Sequence, residues 1–177
     1  TRAARDASQS ATRPVILVVD DDPEVVRAVA RDMRLAFGEH FQIVRADSGS
    51  AALEAARQLK LQNRPVALLL SDQRMPEMTG LEAAALLSEV SPTTKALILS
   101  MHDSEEYVLQ ALDAGAYGYL LKDTDKSEFV KALRQIHAGN KYFSGAVSNV
   151  LANRLLDTKS FIKNPKVDDQ YHLTKRE

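Results

Sequence analysis

Residues 66–72 read Val-Ala-Leu-Leu-Leu-Ser-Asp, a strand-length apolar run that leads into a single carboxylate. A run this short and this continuously apolar is typical of a strand covered on both faces, as in a parallel sheet between two layers of helices. Four further candidate strands are Val15–Val19, Phe41–Ala46, Ala96–Ser100 and Ala116–Leu121. Because stretches of helical periodicity separate the runs, the chain is predicted to be an α/β protein with a doubly wound, five-stranded parallel sheet.

Five helices are predicted to alternate with the strands. The first begins at Pro23, with Asp22 as its N-cap, because proline suits the first helical position. The fourth and fifth are expected to begin with Asp103 and Asp125 as caps, since each is followed three residues later by a glutamate.

The periodicity also predicts the organisation of the whole chain. Residues 1–13 are expected to be a disordered lead-in, 14–138 the α/β domain and 139–157 an extra amphipathic helix. Residues 158–172 are expected to be a polar linker, and 173–177 the start of another domain.

Composition excludes several classes of protein. The chain contains no cysteine, so disulfides, thiolate metal sites and thiol nucleophiles are ruled out, which suits a reducing cytoplasm. Its formal net charge of -1 gives no overall basic field for nucleic acid or membrane lipid. The apolar runs are far shorter than the about 20 residues that a membrane-spanning helix needs, so no membrane association is expected.

Polar side chains follow the predicted strands at the points where the strands end. Asp20 and Asp21 follow the first strand, Asp72 lies two residues past the third strand (Val66–Leu70), Ser100 ends the fourth and Lys122 follows the fifth. Because ligands of open parallel sheets bind beyond the carboxyl ends of the strands, we expect these side chains to share one crevice.

The chemistry of such a crevice points to phosphoryl transfer. Several carboxylates repel one another unless a cation neutralises them, and oxygen ligands with open positions suit Mg²⁺ or Mn²⁺. A metal beside a nucleophilic carboxylate is what phosphorylation of an aspartate needs, with Asp72 attacking in line. Lys122 and Ser100 can then contact oxygens of the phosphoryl group.

These residues resemble the response-regulator receiver family. Residues 16–21, Ile-Leu-Val-Val-Asp-Asp, are similar to its first strand and acidic pair, and residues 72–80, Asp-Gln-Arg-Met-Pro-Glu-Met-Thr-Gly, to its phosphorylation loop. Residues 97–100 and 118–122 are similar to the strands that carry its switch hydroxyl and its lysine. The resemblance covers roughly 15–138 and implies a flavodoxin-like receiver with strand order 2-1-3-4-5, plus an extra C-terminal helix.

The resemblance also implies a role for each residue. Asp72 would be the phosphoacceptor, assisted by Lys122 and Ser100. The implied ligands of Mg²⁺ or Mn²⁺ are Asp20, Asp21, Asp72 and the backbone carbonyl of Arg74. Ser100 and Tyr119 would form a switch pair, in which the hydroxyl moves toward the phosphoryl group and the ring turns inward. Such a protein is no enzyme in the ordinary sense, since it catalyses only its own phosphorylation and dephosphorylation.

Three more positions are expected to tune the lifetime of the phosphoryl group. In the family, the residues two past the phosphoacceptor (Arg74) and two past the hydroxyl (His102) flank the path of the hydrolytic water. Met101 stands where a small residue is common and is expected to narrow the phosphate entrance. Lys122 is followed by Asp123 where many receivers have proline.

Within the family the chain is similar to the NarL/FixJ group, whose members carry a LuxR-type helix-turn-helix domain after the receiver. Residues 173–177, Leu-Thr-Lys-Arg-Glu, resemble the opening of that domain. The resemblance implies a sensor histidine kinase as phosphodonor and a homodimer on phosphorylation. It implies contact with DNA only through the domain that begins at residue 173, and a role in transcription regulation in the cytoplasm.

Two other functions are compatible with parts of the pattern. A haloacid-dehalogenase-like phosphohydrolase would use Asp20 as nucleophile and Asp22 as acid/base, but Glu24 and the absence of an acidic pair after a late strand disfavour it. A phosphorylation-independent interaction module would keep the fold and not use the site, and the presence of every expected site residue argues against it.

The basic residues change type along the chain. Up to Thr94 they are ten arginines and one lysine, and from Lys95 onward nine lysines and three arginines. Folding does not require this change, because both residues carry the same charge. One hypothesis is that the two halves have different ancestry, joined near residue 94; the alternative is chance clustering.

Overall fold

The computed structural model describes residues 13–145, 147–149 and 151–153. The strands, all parallel, are β1 Val15–Val19, β2 Gln42–Ala46, β3 Val66–Asp72, β4 Lys95–Ser100, β5 Gly118–Leu121 and β6 Tyr142–Phe143. The helices are α1 Pro23–Phe37, α2 Gly49–Leu61, α3 Gly80–Val90, α4 Glu105–Asp113 and α5 Lys126–His137. The sheet order is β2-β1-β3-β4-β5-β6, so the predicted order 2-1-3-4-5 is confirmed.

The continuous apolar strands fill two cores, one on each face of the sheet. In β1, Val15, Leu17 and Val19 point to the core under α2, α3 and α4, whereas Ile16 and Val18 point to the core under α1 and α5. All five side chains are at most 4% exposed. A strand buried on both faces has no polar side to alternate with, which explains why its sequence is uniformly apolar.

The prediction of five strands was short by one. Tyr142 and Phe143 form β6, which pairs in parallel with β5 through the partners Gly118 and Tyr142. Residues 139–157 therefore do not form a helix throughout. A two-residue strand leaves no periodicity in the sequence, because its register is set by the neighbouring strand and not by its own pattern.

A helical segment follows β6, as predicted. Residues 145, 147–149 and 151–153 are helical, Val147 is fully buried, and Leu151 packs against the same core. The segment therefore packs onto the α/β domain. The predicted linker at 158–172 and the predicted domain start at 173–177 lie outside the described residues, as does the lead-in except for Arg13.

The helix starts follow the predicted caps with one exception. The Asp22 side chain accepts hydrogen bonds from the backbone of α1, and the Asp125 side chain does the same for α5. The predicted cap Asp103 is wrong: α4 begins one residue later, with Ser104 at the N-cap and no side-chain cap hydrogen bond.

None of the helices in the described part of the chain has the length and apolar character that crossing a bilayer requires.

Candidate functional site

A lysine lies between two buried carboxylates at the carboxyl edge of the sheet. Lys122 Nζ is 2.6 Å from Asp72 Oδ1 and 3.0 Å from Asp20 Oδ2. Asp20 and Asp72 are 4% and 7% exposed. Since β1 and β3 are hydrogen-bonded neighbours that both end here, their last carboxylates meet, and the end of β5 brings the cation across β4. The predicted convergence of these three residues is confirmed.

The remaining carboxylate oxygens are held by backbone N–H groups. Asp20 Oδ1 accepts from the N–H of Asp22 at 2.9 Å, and Asp72 Oδ2 accepts from the N–H of Arg74 at 2.8 Å. Hydrogen bonds to a carboxylate stabilise its charged form. Both carboxylates are therefore fixed in orientation as well as in position.

The charged form of Lys122 is stabilised by its surroundings. Partial burial by itself lowers the pKa of Lys122, but hydrogen bonds and charge attraction from Asp72 and Asp20 outweigh it, so the pKa of Lys122 is raised above its ordinary value. At neutral pH this ammonium is the cation that two buried carboxylates need.

The predicted switch residues meet around the side chain of Gln73. The Ser100 hydroxyl donates to Gln73 Oε1 and accepts from the backbone N–H of His102 at 3.0 Å. The Tyr119 hydroxyl donates to the carbonyl of His102 at 2.6 Å and is 3.0 Å from the same Gln73 oxygen. The Tyr119 ring lies inward and is fully buried, and this burial raises the pKa of its phenol.

Two of the predicted rate-tuning residues touch each other. Arg74 Nη1 is 3.3 Å from His102 Nε2, which joins the loop after β3 to the loop after β4. The His102 ring also packs on Tyr107 of α4, with ring centroids 5.3 Å apart. Met101 is 73% exposed, and its predicted effect on phosphate access stays a prediction.

The donor set suits a hard divalent cation in part. Asp20 and Asp72 are close enough to share one cation, the Lys122 ammonium, and a hard metal ion can complete its shell with water. The Asp21 side chain is exposed. No three His, Cys, Asp or Glu side chains of the described residues are grouped as a ready metal site. The residues therefore suit a Mg²⁺ ion that keeps several water ligands better than they suit a metal ion coordinated by protein atoms alone.

The glycine at the start of α3 lets that helix approach the end of β3. A Cβ atom on Gly80 would lie 2.0 Å from the carbonyl oxygen of Asp72 and 2.7 Å from Ser71 Oγ. The N–H of Gly80 donates to the carbonyl of Gln73 at 2.9 Å. The helix start is thus fastened to the backbone beside the Asp72 carboxylate, at a separation that only glycine allows.

Replacing Gly80 by alanine should therefore destabilise the fold by about 1–3 kcal/mol, the usual cost of overpacking, because the clash is with backbone that cannot rotate away. Urea unfolding followed by circular dichroism measures this change. Gly145→Ala is the matched control, since nothing lies within 4 Å of its added Cβ atom. Equal midpoints for Gly80→Ala and the wild-type protein would show that the helix can shift at no cost.

The sequence analysis missed Gln73, which is 3% exposed and contacts both switch residues. A polar residue that directly continues a strand buried on both faces was the available signal, because alternation turns its side chain away from Asp72 and into the protein. Of the two residues that the alternative phosphohydrolase requires, Asp22 is placed unfavourably, because its side chain caps α1.

Comparison with known proteins agrees with this geometry. Residues 16–134 match the family model of the response regulator receiver domain. The oxygen regulatory protein NreC of Staphylococcus carnosus is 32% identical over 161 residues, which cover 91% of this chain and 72% of NreC.

Solved structures give the same result. The signal receiver domain of the response regulator NarL from Mycobacterium tuberculosis superposes with a TM-score of 0.61 at 35% identity, covering 73% of this chain and 99% of that one. A LuxR-family two-component response regulator from Aurantimonas has a TM-score of 0.68 at 26% identity, covering 82% and 99%. This chain therefore belongs to the response regulator receiver family of two-component systems, in its NarL group.

Proposed function

We propose that Asp72 is the phosphoacceptor of this receiver. The observation that carries the proposal is the contact of Lys122 with both Asp72 and Asp20. It places a cation on Asp72, the last residue of β3, whose neighbour Gln73 contacts both Ser100 and Tyr119. A phosphoryl group on Asp72 would bring new negative charge to that lysine, and preorganised positive charge at such a point is what accelerates phosphoryl transfer.

In the transfer, an oxygen of the Asp72 carboxylate forms a bond to phosphorus. The bond from phosphorus to the donor breaks, and its electron pair leaves with the donor atom, the nitrogen of a phosphohistidine or the oxygen of an acyl phosphate. Lys122 then exchanges part of its contact with the Asp72 oxygen for an oxygen of the phosphoryl group. Asp72 keeps its orientation because its other carboxylate oxygen accepts a hydrogen bond from the N–H of Arg74.

The proposed cofactor is Mg²⁺, with Mn²⁺ as a substitute. The residues that would hold it are Asp20, Asp21, Asp72 and the backbone carbonyl of Arg74. When bound, the metal neutralises charge on the phosphoryl oxygens during transfer. The side chain of Asp21 is exposed, whereas those of Asp20 and Asp72 are buried and already paired with Lys122, so Asp21 would have a different part in this set.

The wider function follows from the family. The phosphodonor would be a sensor histidine kinase, and the output would be transcription regulation in the cytoplasm through a DNA-binding domain of the LuxR type. Phosphorylation would act through Ser100 and Tyr119 and favour a homodimer. The protein would catalyse only its own phosphorylation and dephosphorylation.

The deciding experiment is incubation with an acyl phosphate and Mg²⁺, followed by peptide mapping of the modified carboxylate. We expect one stable acyl phosphate, on Asp72, and none when the metal is chelated. A label on Asp20 with continuous turnover would instead identify the phosphohydrolase alternative. If neither the acyl phosphate nor a phosphorylated histidine kinase labels the protein, it is a phosphorylation-independent module.

The contact between Arg74 and His102 predicts that both residues control hydrolysis of the phosphoryl group. We expect Arg74→Ala and His102→Ala each to shorten its lifetime about fivefold, the effect of removing a contact worth about 1 kcal/mol from the path of the attacking water. Loss of label over time measures the rate. If both variants hydrolyse within twofold of the wild-type protein, the two side chains do no more than solvate the rim.

A further inference from the structure

The side-chain oxygen of Gln73 accepts the only hydrogen of the Ser100 hydroxyl. A serine hydroxyl has one hydrogen to donate, and Ser100 donates it to Gln73 Oε1 while its oxygen accepts from the N–H of His102. The three side chains Gln73, Ser100 and Tyr119 are at most 3% exposed, so water does not compete at these bonds.

This arrangement conflicts with the part that Ser100 takes in the proposed function. To donate to an oxygen of a phosphoryl group on Asp72, the Ser100 hydroxyl must first leave the amide oxygen of Gln73. The same oxygen lies 3.0 Å from the Tyr119 hydroxyl, whose single hydrogen is donated to the carbonyl of His102, so Ser100 is the member of the switch pair that the amide oxygen holds.

The Gln73 backbone is held independently of its side chain. Its N–H donates to the carbonyl of Leu99 at 2.8 Å, which continues the pairing of β3 with β4. Its carbonyl accepts from the N–H of Gly80 at 2.9 Å. A change of side chain at this position therefore leaves both backbone hydrogen bonds of Gln73 in place.

We propose that Gln73 is a positioning residue that restrains the Ser100 hydroxyl and thereby weakens the phosphorylated arrangement of the site. The proposal rests on phosphorylation of Asp72 as the function of the protein. Gln73 contacts no reacting atom and acts only through Ser100 and Tyr119. It shifts the equilibrium of the receiver away from the phosphorylated arrangement, compared with a receiver that lacks the amide.

The test is the affinity of the full chain for beryllofluoride, a phosphoryl mimic, in the presence of Mg²⁺. The readout is the backbone amide resonance of His102, because its N–H donates to Ser100 Oγ and so reports on that hydroxyl. In Gln73→Leu we expect binding about three- to tenfold tighter than in the wild-type protein, the fold-change that corresponds to one competing neutral hydrogen bond. Gln73→Met, unbranched and similar in length, should give the same result if the leucine variant folds poorly.

A purely structural role of Gln73 is separated by repeating the substitution in Ser100→Ala. Without the hydroxyl there is nothing for the amide to restrain, so Gln73→Leu should then change the affinity by less than about twofold, a non-additivity that identifies direct coupling. An equal gain in both backgrounds would overturn the proposal. So would unchanged binding in both Gln73 variants.

Weaker binding in Gln73→Leu would overturn it as well, because it would mean that the amide nitrogen supports Ser100 as a donor. Failure of the proposed function itself gives a different result: the wild-type protein would show no response to beryllofluoride at any concentration.

Discussion

Lys122→Met should destabilise the protein by about 3–5 kcal/mol at neutral pH, the usual cost of leaving buried charge without its partner. In the wild-type protein both Asp20 and Asp72 lie within 3.0 Å of the Lys122 nitrogen. In the variant the two carboxylates would have no cation between them. Methionine keeps the length of the aliphatic chain, so the loss reports on charge. Chemical unfolding at several pH values, with and without Mg²⁺, measures it.

The pH dependence of this loss has a defined sign. The pKa of Lys122 is raised in the folded protein, so its stabilising contribution is complete below 10.5, the value for an unperturbed lysine, and is lost as the pH rises further. The difference between the two proteins should therefore be complete at neutral pH and shrink as the pH rises above 10.5.

Magnesium should stabilise Lys122→Met more than the wild-type protein, because a ligand that binds only the folded state adds stability and here it also replaces the missing cation. Lys141→Met, a change of an exposed lysine, is the control and should stay within about 0.5 kcal/mol. If Lys122→Met and Lys141→Met unfold alike, the two carboxylates do not depend on the lysine.

Asp72→Asn should abolish labelling by an acyl phosphate, a loss of at least about 100-fold, because an amide oxygen is not a competent nucleophile toward phosphorus. The fold should survive, since the asparagine oxygen can still accept from the N–H of Arg74 and Lys122 keeps its contact with Asp20. Quantitative mass spectrometry of the labelled protein measures the loss.

Asp22→Asn is the matched control for this variant. It is the same chemical change two residues past Asp20, and asparagine caps a helix about as well as aspartate, so both labelling and stability should be retained. Undiminished labelling of Asp72→Asn would move the phosphoacceptor to another carboxylate, and mapping would show which.

The strands were predictable because burial on both faces leaves a strong signal. Val15–Val19 was predicted with the bounds that the structure shows, and the ends of the other four strands were within one or two residues. Such runs admit little besides a central parallel strand. The convergence of Asp20, Asp72 and Lys122 followed directly, because parallel strands place their carboxyl ends on one edge.

What escaped prediction depends on contacts between distant residues. The partners of Gln73 lie on β4 and β5, and no local pattern states which polar residue will accept from which hydroxyl. The strand at Tyr142 forms because Tyr117 and Gly118 offer an unpaired edge, and not because of its own sequence. The N-cap of α4 is Ser104 instead of Asp103, and the sequence does not decide between them because aspartate and serine are both common N-cap residues.

The short strand β6 also determines where the chain can be truncated without exposing an edge of the sheet. The family match ends at residue 134, before β6 and before the buried side chain of Val147. A fragment ending there would leave the outer backbone N–H and C=O groups of β5 unpaired, and an open edge of this kind is a template on which another molecule can add a strand. Self-association of such a fragment would then be a product of the truncation, and would not be evidence that the intact receiver self-associates.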